Sequence, residues 1–145
     1  MVVNRIIGGR SVVPSNFGGM TQYKLAWFLK GCYLSELLSF DSSAKSFGID
    51  LISIDNGHIG VKNRIAYVFL RRSKTLHDFS ADAMIWRRDR KIGAVYAGPD
   101  NIAQRVRRDI HRVCEKQGVR EVVIAGISLG GAIGAIAAEA LADTY

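Results

Sequence analysis

Only two prolines and two cysteines occur among the 145 residues. So few prolines exclude a proline-rich linker or recognition tail. Cys32 and Cys114 stand alone in the chain. They form neither a metal-ligand spacing nor a disulfide framework, so a reduced, cytoplasmic setting is expected, with no metal or cofactor. No apolar run reaches the ~18 residues that a membrane span needs. The opening MVVNRIIGGRSVV is interrupted by Asn4, Arg5, Gly8-Gly9 and Arg10. It therefore lacks the continuous apolar stretch of a signal peptide. There is no low-complexity segment and no internal repeat. What remains is a globular composition, 48% hydrophobic and 23% charged. At this length it allows one domain with a real core.

Acidic residues are also scarce relative to basic ones. Lys and Arg number 20 against 13 Asp and Glu, a net charge of +7. Residues 71–120 alone hold 13 basic and 6 acidic residues, so the whole surplus lies in that segment. Such a segment suits an anionic lipid surface. The plainer reading, and the preferred one, is a set of solvated helix faces. Nucleic-acid binding is disfavoured. Arg105, Arg107, Arg108, Arg112 and Lys116 surround an apolar stripe instead of forming a face of their own, and no aromatic platform accompanies them.

The chain divides into an irregular N-terminal lead-in, residues 1–20, and one domain, residues 21–145. Thr21–Phe40 has helical periodicity, with Leu25, Phe28, Leu29, Cys32 and Leu37 on one face. Phe47–Ile54 alternates like a strand, and Asn56-Gly57 signals a hairpin turn. A second strand follows over His58–Val61, a turn at Lys62-Asn63, and a fully buried strand over Ile65–Leu70. Thr75 is an N-cap for a short helix through Ala83. Arg87–Lys91 reads as a basic loop and Ile92–Gly98 as a short strand or an extended segment. Asn101–Gln117 is the strongest helix, with Ile102, Val106, Ile110, Val113 and Cys114 as its stripe. Pro99 and Asp100 start it and Gly118 stops it.

Val122–Ala140 carries the chemistry. An apolar β-branched run leads into Gly126-Ile127-Ser128-Leu129-Gly130-Gly131, and an Ala-rich helix follows. Strand, G-x-S-x-G, helix is the context of a nucleophile elbow. The turn is so sharp that Gly126 and Gly130 must lack side chains. Ser128 is the candidate nucleophile, and the N–H of Leu129 is a candidate oxyanion donor at the helix start. The plain alternative is a small-residue turn where a helix packs closely on a sheet.

Three patches together resemble the class 3, or fungal-type, lipase family. Phe69-Leu70-Arg71-Arg72-Ser73, with Leu76-His77-Asp78-Phe79-Ser80-Ala81-Asp82 after it, is similar to the family's strand ending in F-R-G-[ST] and its D-W-x-x-D helix. Val95-Tyr96-Ala97-Gly98 resembles V-H-x-G-F, and the elbow resembles G-H-S-L-G-G-A. The chain differs at Arg72, Tyr96, Pro99 and Ile127. The resemblance implies an α/β-hydrolase-like fold, with a central, mostly parallel sheet flanked by helices. It implies hydrolysis of a lipid or small carboxylic ester through an acyl-serine at Ser128. Ser73 and the Leu129 N–H would form the oxyanion hole. It also places a lid near Ala83–Ala97, where Trp86 is followed by Arg87 and Arg88.

In the family the triad's Asp and His follow the elbow. Here no histidine follows Ser128, and Asp143 is the only Asp that does. The expectation is therefore a domain whose C-terminal part is missing, with little turnover of its own. The strand Val122–Ala125 is expected to expose an edge, and the helix face Ala132–Leu141 to be under-covered. Self-association through that edge would follow. The alternative is a catalytically inactive lipase-like protein that binds anionic lipid or a partner chain.

Overall fold

Among the described residues, three two-residue loops turn the chain back on itself, at Gly8-Gly9, Asp55-Asn56 and Asn63-Arg64. The computed structural model describes residues 2–12, 48–71, 87–90, 93–126 and 129–145. The expected helices over Thr21–Phe40 and Thr75–Ala83 lie outside these. The strands are β1 (Val2–Ile7), β2 (Arg10–Val12), β3 (Ile52–Ile54), β4 (Gly57–Lys62) and β5 (Ile65–Leu70). After them come β6 (Arg87–Arg90), β7 (Gly93–Tyr96) and β8 (Glu121–Gly126). The helices are α1 (Ala97–Gln117) and α2 (Leu129–Leu141).

Six strands form one sheet in the order β2-β1-β8-β5-β4-β3, and β6 and β7 pair separately. The register aligns Ile6, Val122, Ala66 and Val61 in one row across four strands, and Ile124, Val68 and Ile59 in the next. All of these point to one face. The α1 stripe of Ile102, Val106, Ile110 and Cys114 packs there, with Ile133, Ile136, Ala137 and Leu141 of α2. Val113 is half-buried at the margin of that core. Helix α1 ends in a Schellman motif. Gly118 has φ 60°, and the Val119 N–H donates to the Cys114 carbonyl at 3.1 Å. On the opposite face Tyr67, Phe69, Val123 and Ala125 are buried.

Several expectations are corrected. Of the expected irregular lead-in over residues 1–20, the described residues 2–12 are not irregular: they form a hairpin, and β1 lies inside the sheet. The turn signal was Gly8-Gly9, whose φ values of 60° and 76° are those of a two-residue hairpin loop. Arg5, which seemed to interrupt the apolar run, pairs with Glu121.

Strand β8 has no exposed edge, because β1 pairs antiparallel along it from Val2↔Gly126 to Ile6↔Val122. Self-association through that edge has no basis. The α2 face is also covered: Ile133, Ile136, Ala137, Ala138 and Leu141 are buried against β1, β8 and α1. The sheet is mixed instead of mostly parallel. Two-residue loops can only join antiparallel strands, which accounts for β1–β2, β3–β4 and β4–β5; β1 also runs antiparallel to β8, and β5–β8 is the sole parallel pair among the described strands. Smaller corrections concern boundaries. The β3–β4 turn is Asp55-Asn56, the next turn is Asn63-Arg64, β3 is only three residues long, and Arg87–Arg90 is a strand.

Candidate active site

The parallel pair β5–β8 ends at Leu70 and Gly126, which face each other in register. Two residues separate Gly126, the last of β8, from Leu129, the first of α2. Main chain lies against main chain at this junction. A Cβ on Gly126 would lie 2.3 Å from the Gly130 carbonyl oxygen. A Cβ on Gly130 would lie 2.5 Å from the Leu70 carbonyl oxygen and 2.6 Å from that of Arg71. Both separations are far inside van der Waals contact, so only glycine fits at either place. Gly130 and Gly131 are buried in the first turn of α2, and Leu129 is half-buried at its start. The first N–H groups of such a helix have no intrahelical acceptor and carry partial positive charge. Ser128 and Ser73 lie outside the described residues, as do Ile127 and Arg72.

The exit of β5 is gripped from its other side by the β3–β4 turn. The Arg71 N–H donates to the Asn56 carbonyl, and Asn56 Nδ2 donates to the Arg71 carbonyl, both at 3.0 Å. Asn56 sits at φ 61°, a conformation that Asn tolerates better than most residues. Sequence reasoning saw Asn56 only as a turn signal. Its link to Arg71 depends on how β4 folds back on β5, which no local pattern displays. Asp55 ties the same turn to α1. Its N–H donates to Asp109 Oδ2 at 2.9 Å, and its carboxylate accepts from Arg105. The first turns of α1 lie beyond that junction. They carry Asp100, a fully buried acid whose Oδ1 accepts from Gln104 at 3.3 Å.

A class 3 lipase model matches residues 51–145, about two thirds of the chain. The chain belongs to the class 3 lipase family. Searches of curated proteins and of solved structures return no match. Membership gives a lipase-like ester hydrolase as the coarse functional class and lipid or ester as the substrate class. The lipase match begins before the β3–β4 hairpin and includes α1, β8 and α2.

Two of the three histidines fall within the described residues. His58 lies in β4, opposite Phe69. His111 lies midway along α1, where Nδ1 is 2.9 Å from the Tyr145 hydroxyl and Nε2 is 3.1 Å from Glu115. His111 is thus committed to the helix surface and the chain's last residue. His77 is outside the described residues. Asp143 is exposed in the turn after α2. Among the described residues no three His, Cys, Asp or Glu side chains group to hold a metal. No described helix is long and apolar enough to cross a membrane.

At the other end of β8, Glu121 is buried and pairs with Arg5. Beside them burial pushes the Tyr67 hydroxyl up to about 12, Glu121 adds to the rise, and Arg5 opposes it. Cys114 is also raised to about 12 by burial, with the Tyr145 hydroxyl bonded to it. A buried thiol of this kind is a poor nucleophile, so it offers no competing chemistry.

Proposed function

We propose that this protein is a serine hydrolase of carboxylic esters and that Ser128 carries the acyl group. The observation behind this reading is the glycine-only junction between β8 and α2 at the carboxyl end of the parallel pair. That backbone is the kind that presents a serine between the two glycines to an incoming carbonyl. Ser128 Oγ attacks the ester carbonyl, the alcohol leaves with the serine proton, and water later releases the acid. The Leu129 N–H, with Ser73, three residues beyond the end of β5 in sequence, faces the oxyanion of each tetrahedral intermediate. The Asn56 grip on Arg71 fixes the exit of β5.

A serine hydroxyl needs a base to take its proton. The family's base follows the elbow, and within these 145 residues no histidine does. Turnover by this polypeptide alone is therefore expected to fall orders of magnitude below that of a complete triad. Added imidazole stands in for the base. Hydrolysis of p-nitrophenyl butyrate is expected to rise with imidazole in the wild type beyond the rise in Ser128→Ala. Identical rates for the two proteins at every imidazole concentration would refute the assignment.

A further inference from the structure

We propose that the open edge of β3, beside α1, is a docking groove for an extended acidic peptide segment of a partner protein, which joins the sheet as a further strand. Strand β3 ends the sheet order among the described residues. Ile54 and Gly57 close the two-residue loop. They are therefore a hydrogen-bonded pair, and the antiparallel alternation turns the N–H and C=O of Ser53 away from β4 to the open edge. Such an edge is a template for strand addition.

The space next to that edge is shaped for a chain. A cavity of about 360 Å³ lies between β3 and α1. Ile52, Ile54 and Val113 supply its apolar surface, and Arg112 and Lys116 stand one helical turn apart on its rim. Ile52 is 43% exposed, an uncommon position for a large apolar side chain in a strand. The acids near the groove are already engaged. Asp55 holds Arg105, and Asp109 accepts the Asp55 N–H and pairs with Arg112 at 3.5 Å. Arg112 is shared with Asp109 but remains two-thirds exposed. The groove thus offers a basic rim partly offset by its own acids, an apolar floor and a backbone donor and acceptor in one row.

Charge selects the occupant. A second copy pairing β3 against β3 would bring two sets of Arg112 and Lys116 together in a chain already at +7. A lipid surface cannot supply the backbone partners that Ser53 presents. An extended segment with Asp or Glu on the side chains facing α1 satisfies all three features.

The probe is an end-blocked, fluorescein-labelled heptapeptide of alternating Glu and Val, titrated with the 145-residue chain at physiological salt and read by anisotropy. Saturable binding is expected, with no binding of the matching Lys and Val peptide. Arg112→Glu with Lys116→Glu is expected to weaken it at least tenfold. Ser53→Pro removes the outward N–H and leaves the bonds to β4 in place, because proline is tolerated on edge strands. It is expected to weaken binding similarly, as is N-methylation of alternate residues in the probe. The N-methylated probe tests the pairing even where Ser53→Pro fails to fold. Absence of saturable binding would overturn the proposal. So would unchanged binding of the N-methylated probe, or capture of phosphatidylserine vesicles without capture of the peptide.

Discussion

The two ends of the β5–β8 pair are closed in different ways. At the carboxyl end main chain meets main chain: Gly126 against Gly130, and Gly130 against the carbonyls of Leu70 and Arg71. At the amino end, side chains reach across to distant segments. Arg5 of β1 pairs with Glu121, and Arg64 Nε donates to the Gly118 carbonyl at 2.9 Å. The Arg64 carbonyl in turn accepts from the Arg120 N–H at 2.9 Å. Contact between backbones tolerates almost no substitution, because a single Cβ has nowhere to go. Contact through long side chains can be loosened a bond at a time. The end that carries the proposed chemistry is therefore the more brittle of the two.

The largest effect should come from the brittle end. Gly130→Ala is expected to cost about 3 kcal/mol, since the new methyl must displace the Leu70 and Arg71 carbonyls. A urea titration followed by circular dichroism measures it. A loss under ~0.5 kcal/mol would mean that α2 and β5 are not in contact there.

The next effect belongs to the other end. Glu121→Ala removes the acid that faces Arg5 in a mostly buried site, at a cost of about 2 kcal/mol, reduced from a fully buried pair because Arg5 is one-fifth exposed. A double-mutant cycle with Arg5→Ala should show most of that cost as coupling between the two residues. Zero coupling would break the comparison.

Alkaline pH sharpens it further. Tyr67, Cys114 and Tyr145 all have values raised to about 12 when folded, from 10.0, 9.0 and 10.0. Between the unfolded and folded values the unfolded chain has shed protons that the folded chain keeps. Their contribution is fully present below pH 9 and is lost as pH rises toward 12. Urea midpoints at pH 8.5, 10 and 11.5 should fall in that order, and Tyr67→Phe should flatten the fall. A midpoint that rises with pH would contradict these environments.

The smallest effect is expected from Arg64→Gly. It loses the bond to Gly118 but relieves a positive φ of 63°. The two terms are each about 1 kcal/mol and opposite in sign, so the net change should stay within ~0.5 kcal/mol. A cost above 2 kcal/mol would show that Arg64 holds more than one carbonyl.

The same contrast governs what could be read from the residues in order. Ile65–Leu70 announced itself as a buried strand because both of its faces are apolar. Helix α1 showed its stripe and its Gly118 stop, because helical periodicity and capping are local. The close approach of Gly126 to Gly130 is local too, five residues in one turn. Strand β1 was missed because its partner lies more than a hundred residues away and its Arg5 looked like an interruption until Glu121 met it. The grip of Asn56 on Arg71 and the open edge beside α1 likewise arise only once hairpins stack in a definite order. Tertiary pairing of this kind leaves no mark on a local window.

The most direct test of the central claim is the chemical reactivity of the elbow. Incubation with a fluorophosphonate ester, followed by intact mass and peptide mapping, asks whether one serine is activated above all others. A single adduct is expected, on Ser128, lost in Ser128→Ala and also in Gly130→Ala under conditions where that variant remains folded. Adducts spread over several serines, or a single adduct elsewhere that survives Ser128→Ala, would contradict it.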